Sequence, residues 1–232
     1  MRHFPDTRVS VVTELSSADT DRRERAVATV IEVYRAPVIA VLRGRWNLEA
    51  ADAEDLAHDF FAQALAQEWL SRYDPARGRF RTFLRSCLFA FASTAHEAAT
   101  RQKRGGLAPH LSLDDAQHVS APDDVAAEFD REWIRSVLTK ALDALHDECV
   151  ERDRESTWRV FSAYDVDGAD GDRPTYDALA RDVGIAPTQV TNYLNWARRR
   201  FREHVLGTLR QLTASEAEYR DEVRELLGSG VL

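Results

Sequence analysis

Residues 174 to 204 read P-T-Y-D-A-L-A-R-D-V-G-I-A-P-T-Q-V-T-N-Y-L-N-W-A-R-R-R-F-R-E-H. The pattern predicts two helices and a tight turn. Thr175 is a capping residue for the first helix, whose short apolar face is Leu179, Ala180 and Val183. Gly184 stands where the chain must turn, a place that favours a residue tolerant of positive φ. Pro187 suits the first turn of the second helix, where a missing N–H costs little. Val190, Tyr193, Leu194 and Ala197 give that helix one apolar face.

Ala180, Gly184 and Val190 fall at the spacing of a helix-turn-helix: a small residue for close approach, a glycine for the turn, a β-branched residue to seat the second helix. On that reading the exposed face carries Thr188, Gln189, Thr191, Asn192 and Asn195, short hydrogen-bonding side chains suited to base edges in a major groove. Arg198, Arg199, Arg200 and Arg202 follow at positions suited to phosphates. The competing reading is an ordinary helical hairpin with a solvated basic end.

The 232-residue chain carries only 10 glycines and 7 prolines among long Ala/Leu/Arg/Glu-rich runs. This composition predicts an all-α fold. The formal net charge of -8 is unusual for a free-standing DNA binder. Positive charge is instead segregated: residues 72–106 hold eight Lys/Arg against two Asp/Glu, which leaves an acidic remainder suited to a protein partner. The two cysteines, Cys87 and Cys149, have no partner at metal-ligand spacing and are expected to pack as small apolar residues in a cytoplasmic protein. No run approaches a membrane span and the N-terminus lacks a signal-peptide core, so no membrane association is expected.

In chain order, residues 1–19 are expected to fray, or to form a short strand-like lead at V-S-V-V-T. A first helix, capped by Thr20 or Asp21, uses Val27, Val30, Ile31 and Tyr34, with Pro37 interrupting or kinking it. A second helix begins near Ala51, and Leu56, Phe60, Phe61, Leu65 and Trp69 form its wide apolar face. Asp52, Glu54, Asp55 and Asp59 lie in its first turns, where they either complement the helix dipole or form an acidic docking edge for a basic partner.

Asp74-Pro75 and Gly78 mark a loop, around which Arg77, Arg79, Arg81 and Arg85 cluster with Phe80 and Phe83. The next helix has Leu84, Leu88, Phe91 and Ala95 on one side and ends in R-Q-K-R-G-G, with Arg101, Lys103 and Arg104. Basic residues at both ends of a helix, interleaved with aromatics, suit single-stranded or melted nucleic acid. Residues 108–124 are expected to link two domains, 1–107 and 125–232. A long amphipathic helix starts at Val125. The acidic D-V-D-G-A-D-G-D from Asp165 fails as a calcium loop, because its sixth position is Asp170 and its twelfth is Tyr176. A last helix begins at Thr213 or Ser215, carries Tyr219, Val223, Leu226 and Leu227, and ends at Gly228.

The two halves together resemble a bacterial RNA polymerase sigma factor of the two-domain, extracytoplasmic-function class. D-A-E-D-L-A-H-D-F-F-A-Q-A-L (Asp52 to Leu65) resembles the family's core-binding helix, and R-F-R-T-F-L (Arg79 to Leu84), with a helix ending in Q-K-R, resembles its promoter-melting helix. The helix-turn-helix with its basic extension resembles the domain that reads the upstream promoter element. The chain departs from the family in having Phe89, Ala90 and Phe91 where the melting helix usually carries an Arg-Asn pair, in the acidic loop 165–172, and in the helix after Thr213. That last helix is taken as a cap on the core; the alternative is a regulatory tail packed on either domain.

The resemblance implies a sigma factor that binds core RNA polymerase and directs transcription initiation at promoter DNA. An anti-sigma factor or another regulator is a possible further partner. Asp52, Glu54, Asp55, Asp59 and Gln63 would meet the polymerase, with Leu56 and Phe60 turned to the protein's own core. Arg77, Arg79, Arg81, Arg85, Arg101, Lys103 and Arg104 would contact the start-proximal element. The loop 73–80 would receive an unstacked base. Thr188, Gln189, Thr191, Asn192, Asn195, Arg198 and Arg199 would contact the upstream element. No nucleophile–base pair, glycine-rich phosphate loop or cofactor motif argues for catalysis. Two alternatives are a free-standing regulator acting without polymerase and a protein-binding adaptor on a sigma scaffold.

Overall fold

The computed structural model describes residues 10–102, 121–169, 171 and 173–228, and every regular element among them is helical. The helices are α1 (Val11–Glu14), α2 (Thr20–Trp46), α3 (Ala50–Ala66), α4 (Phe80–Gln102), α5 (Asp123–Glu151), α6 (Glu155–Phe161), α7 (Tyr176–Val183), α8 (Pro187–Gln211) and α9 (Glu216–Leu227). Short 3-10 turns cover Leu70–Arg72 and Pro75–Arg77, and a π turn covers Ser162–Val166. Among the described residues no helix is long and apolar enough to cross a membrane. Most of the expected linker, residues 108–120, lies outside the described residues.

The chain divides into two compact units. Unit 1 takes residues up to Ser136 together with those from Leu209 onward, and unit 2 takes Val137–Thr208. The last helix therefore groups with the first half of the chain, and α5 contributes to both units. Its buried residues step by four: Val125, Phe129 and Trp133 in unit 1, then Val137, Ala141, Leu145 and Cys149 in unit 2.

In unit 1, α2 starts one residue earlier than expected, because the Asp19 side chain accepts the Arg22 N–H at 3.2 Å. Pro37 neither stops nor splits α2, which is 27 residues long and continues beyond it to Trp46 with the proline buried. Ala26, Val30, Val33, Tyr34, Val38, Val41 and Leu42 line the core, and Val27 and Ile31 stay half-buried. The expected strand-like lead is instead a helical turn at Val11–Glu14 where it is described.

The buried face of α3 is also narrower than the large apolar residues suggested. Ala53, Ala57, Phe60, Phe61 and Ala64 are buried, whereas Leu65 is 41% exposed. The helix ends at Ala66, and Glu68 takes φ 54°, so Trp69 returns to the core from outside the helix.

Unit 2 has two adjoining apolar clusters. One is Val160, Leu179, Ala180, Val190 and Leu194; the other is Leu145, Cys149, Phe161 and Ala197, flanked by Leu142, Trp158, Trp196 and Phe201. Both cysteines are buried free thiols, and burial pushes the Cys87 thiol up to about 12, well away from thiolate chemistry.

Candidate nucleic-acid and polymerase interfaces

The α7–α8 pair is built as its sequence predicts. The Ala178 N–H donates to the Thr175 hydroxyl at 3.2 Å. Gly184 closes α7 in the left-handed conformation at φ 71°, and the Ile185 N–H returns to the Ala180 carbonyl at 3.0 Å. Three residues, Gly184 to Ala186, make the turn into α8. Val190, Leu194 and Ala197 are essentially fully buried, and this fixes which side of α8 faces outward.

That outward side carries Thr188, Thr191, Asn192, Asn195 and Arg199, all exposed. Steps of three and four residues put them on one stripe. Gln189 has a local role that the sequence reading missed: its side-chain carbonyl accepts the Ala186 N–H at 3.0 Å. This is one half of a capping box, with the glutamine at the third helical position reaching back to the capping residue.

The arginines that follow divide into two kinds. Arg198 makes a bidentate pair with Asp165 at 2.7 and 2.9 Å, and Arg200 is held by Glu148 at 2.9 Å and by Glu203. Glu148 also meets His204 at 2.8 Å. Although burial acts to raise it, Arg200 and His204 hold the Glu148 carboxyl below its usual range. Arg199 is exposed and makes no ion pair among the described residues. The acidic loop therefore anchors the basic extension through Asp165. Gly168 packs tightly beside it: a Cβ there would come within 2.8 Å of the Tyr164 carbonyl oxygen.

In unit 1 the acidic residues of α3 separate. Glu54 pairs with Arg35 of α2. Asp52, Asp55 and Asp59 instead line a groove of about 320 Å³ with Leu56, Trp46, His96 and the alanines of α4. Asp52, Asp55 and Asp59 are exposed and Gln63 is half-buried. Phe60 is buried as expected, but Leu56 is half-buried in the groove and does not enter the core.

The loop before α4 forms a second, smaller pocket of about 130 Å³, lined by Arg72, Tyr73, Asp74, Arg77, Arg79 and Phe83 among others. The Asp74 carboxylate accepts the Ala76 N–H at 2.9 Å, and the Tyr73 hydroxyl donates to the Gly78 carbonyl at 2.7 Å. The Tyr73 ring packs against Phe80 and Phe83 with centroids 5.2 and 5.5 Å apart. Partial burial and the nearby Glu218 raise the Tyr73 phenol, so it stays protonated and able to donate.

Arg79, Arg81 and Arg85 are engaged by carboxylates. Arg79 meets Glu225 at 2.6 Å and Glu222 at 3.6 Å. Arg81 is 4% exposed, stacks over Trp133 at 4.4 Å and meets Glu225, Glu222 and Asp130 at 2.8, 3.0 and 3.5 Å. Arg85 bonds both oxygens of Asp130 at 3.0 and 3.1 Å. In this arrangement Arg81 is not presented to a partner. The side chain of Arg101, and all of Lys103 and Arg104, lie outside the described residues.

Sequence reasoning gave these arginines a partner outside the chain and did not foresee the carboxylates that hold them. On the last helix the sequence signal is the spacing of Asp221, Glu222 and Glu225, which places them on one side. Compared with protein-family models, with curated proteins and with solved structures, the chain matches none.

Proposed function

We propose that the protein is a sigma factor that binds core RNA polymerase and directs it to promoters. The observation that carries this reading is the α8 stripe. Four short hydrogen-bonding side chains, Thr188, Thr191, Asn192 and Asn195, and one unpaired arginine, Arg199, share the exposed side of a helix whose opposite side is locked by Val190, Leu194 and Ala197. Such a helix reads base edges with its polar stripe and meets phosphate with its arginine. In the same chain, the aspartate-lined groove of α3 offers Asp52, Asp55 and Asp59 to a basic polymerase surface. The aromatic pocket beside Arg77 and Arg79 has the size and chemistry to hold an unstacked base.

The test combines the intact protein with bacterial core polymerase and a pool of promoter fragments, alongside Asp55→Arg. Binding and run-off transcription from defined sites, both lost on charge reversal, would support the reading. DNA retention without core binding would replace it with a free-standing regulator. The saturated state of Arg81 and Arg85 favours one further reading, an adaptor that binds polymerase without melting promoters. Core binding with no promoter-selective transcript would select it.

A further inference from the structure

Helix α9 carries Glu218, Asp221, Glu222 and Glu225, spaced three and four residues apart and so on one side of the helix. That side faces the beginning of α4. The Phe80 N–H, at the first position of α4, donates to Glu218 Oε1 at 2.8 Å from a residue 138 positions away. The other oxygen of Glu218 accepts the Ala214 N–H at 2.7 Å and also lies 3.4 Å from the Tyr73 hydroxyl. One turn further along α9, Glu222 and Glu225 take Arg79 and Arg81. Asp221 lies 3.8 Å from Arg79.

A helix N-terminal amide and two adjacent guanidinium groups are what a nucleic-acid backbone would bind at this place. Here each is occupied by a carboxylate of the same chain. The contact is also graded. Glu218 and Glu222 are buried, whereas Asp221 and Glu225 remain nearly half exposed, with side-chain exposures of 45% and 43%. The outer edge is therefore accessible to a competing polyanion. Apolar contact is thinner than on the main core helices, with Tyr219 and Val223 the buried apolar residues of α9.

From these contacts we infer that α9 is an intramolecular stand-in for a nucleic-acid backbone. It covers Arg79, Arg81 and the start of α4 and keeps unit 1 closed to single-stranded DNA until it is displaced. This rests on the sigma-factor reading, because it takes the loop before α4 as a DNA-contacting surface. It deepens that reading by adding a regulatory state in which the surface is occupied from within.

The test uses the intact chain and a fluorescein-labelled oligothymidylate, read by anisotropy across a salt series. The Asp221→Asn, Glu225→Gln double variant removes two exposed charges and leaves Tyr219 and Val223 in place, so the packing of α9 is preserved. It should bind the oligonucleotide at least tenfold more tightly than the parent, with a steeper salt dependence. Adding Arg79→Ala to the double variant should reverse most of the gain. Hydrogen exchange supplies a second readout: the oligonucleotide should speed exchange of α9 amides in the parent protein.

Equal affinity of parent and double variant, or a gain that Arg79→Ala leaves untouched, would overturn the inference. Core-polymerase binding measured on the same samples separates the two claims. Core binding without a gain in DNA affinity rejects only the covering role of α9. Loss of both core and DNA binding in every sample rejects the sigma-factor reading with it.

Discussion

In unit 1, Arg79 and Arg81 meet Asp130, Asp221, Glu222 and Glu225, and Arg81 is buried against an indole. In unit 2, Arg199 stands on an exposed stripe with no ion pair among the described residues, while its neighbours Arg198 and Arg200 are tied to Asp165 and Glu148. The same side chain thus serves two purposes within one chain. Where it is enclosed, it cements a contact between distant segments. Where it is exposed, it adds little to folding. A cluster of arginines in the sequence does not tell which is which; the carboxylates within reach do.

The largest expected effect separates these two uses. Arg81→Ala leaves Glu222 enclosed without its main counter-charge and removes the contact with Trp133, so it should lower unfolding stability by about 3 kcal/mol or more. Arg199→Ala should change stability by less than about 0.5 kcal/mol. Urea unfolding followed by circular dichroism measures both, and similar losses would erase the distinction.

A pH series is next in size. Burial pushes the Glu222 carboxyl up from 4.5 to about 7, although Arg81 and Arg79 pull it down. A raised folded value means that folded unit 1 keeps a proton that the unfolded chain has already released. Stability from this group is fully present below about 4.5 and is lost as pH rises through about 7, up to about 3 kcal/mol in all. For Glu225, burial is outweighed by Arg81 and Arg79, which hold its carboxyl low. Its contribution is lost only at more acidic pH and does not mask the trend. Thermal unfolding of Glu222→Gln should show a smaller decline between pH 5 and pH 8 than the parent; an unchanged slope would remove Glu222 as its source.

Gly184→Ala probes the turn that presents the α8 stripe. No atom lies within 4 Å of the added Cβ, but φ is 71°, so the cost is backbone strain of about 1–2 kcal/mol, measurable by denaturant unfolding. The smallest effect on stability, and the most specific on function, belongs to Asn192→Ala. It should relax sequence preference at one promoter position in a randomised-site selection, whereas Arg199→Ala should weaken binding to all sequences and reduce the salt slope by about 1. An unchanged selected sequence for Asn192→Ala would assign base reading to other residues of the stripe.

Local signals carried much of this structure into the sequence. Thr175, Gly184 and Pro187 punctuate the α7–α8 pair, and Val190, Leu194 and Ala197 repeat at helical spacing, so this region was legible in detail. The all-α fold followed from composition and periodicity. Other features depended on pairings that no local pattern records. Leu65 had the right spacing for a core residue and is exposed, because α3 ends at Ala66 and Trp69 comes back to the core from the segment beyond. Gln189 had the chemistry of a base reader and is engaged in capping its own helix. The sequence reading of α9 rested on Tyr219, Val223, Leu226 and Leu227 and assigned its acidic side no partner. Its partners lie more than a hundred residues earlier, and only the folded chain brings them together.

The sequence distance between Phe80 and Glu218 has a consequence for the protein's synthesis. Ribosomes add about 5–20 residues per second, so the 138 positions between these residues correspond to roughly 7–28 seconds of elongation. During that interval Arg79, Arg81 and the start of α4 exist without the α9 carboxylates that hold them. Unit 2 is continuous in sequence from Val137 to Thr208, so all of it is synthesised before α9. Each newly made molecule therefore passes through a period in which Arg79 and Arg81 lack their α9 partners, before the last helix arrives to pair with them.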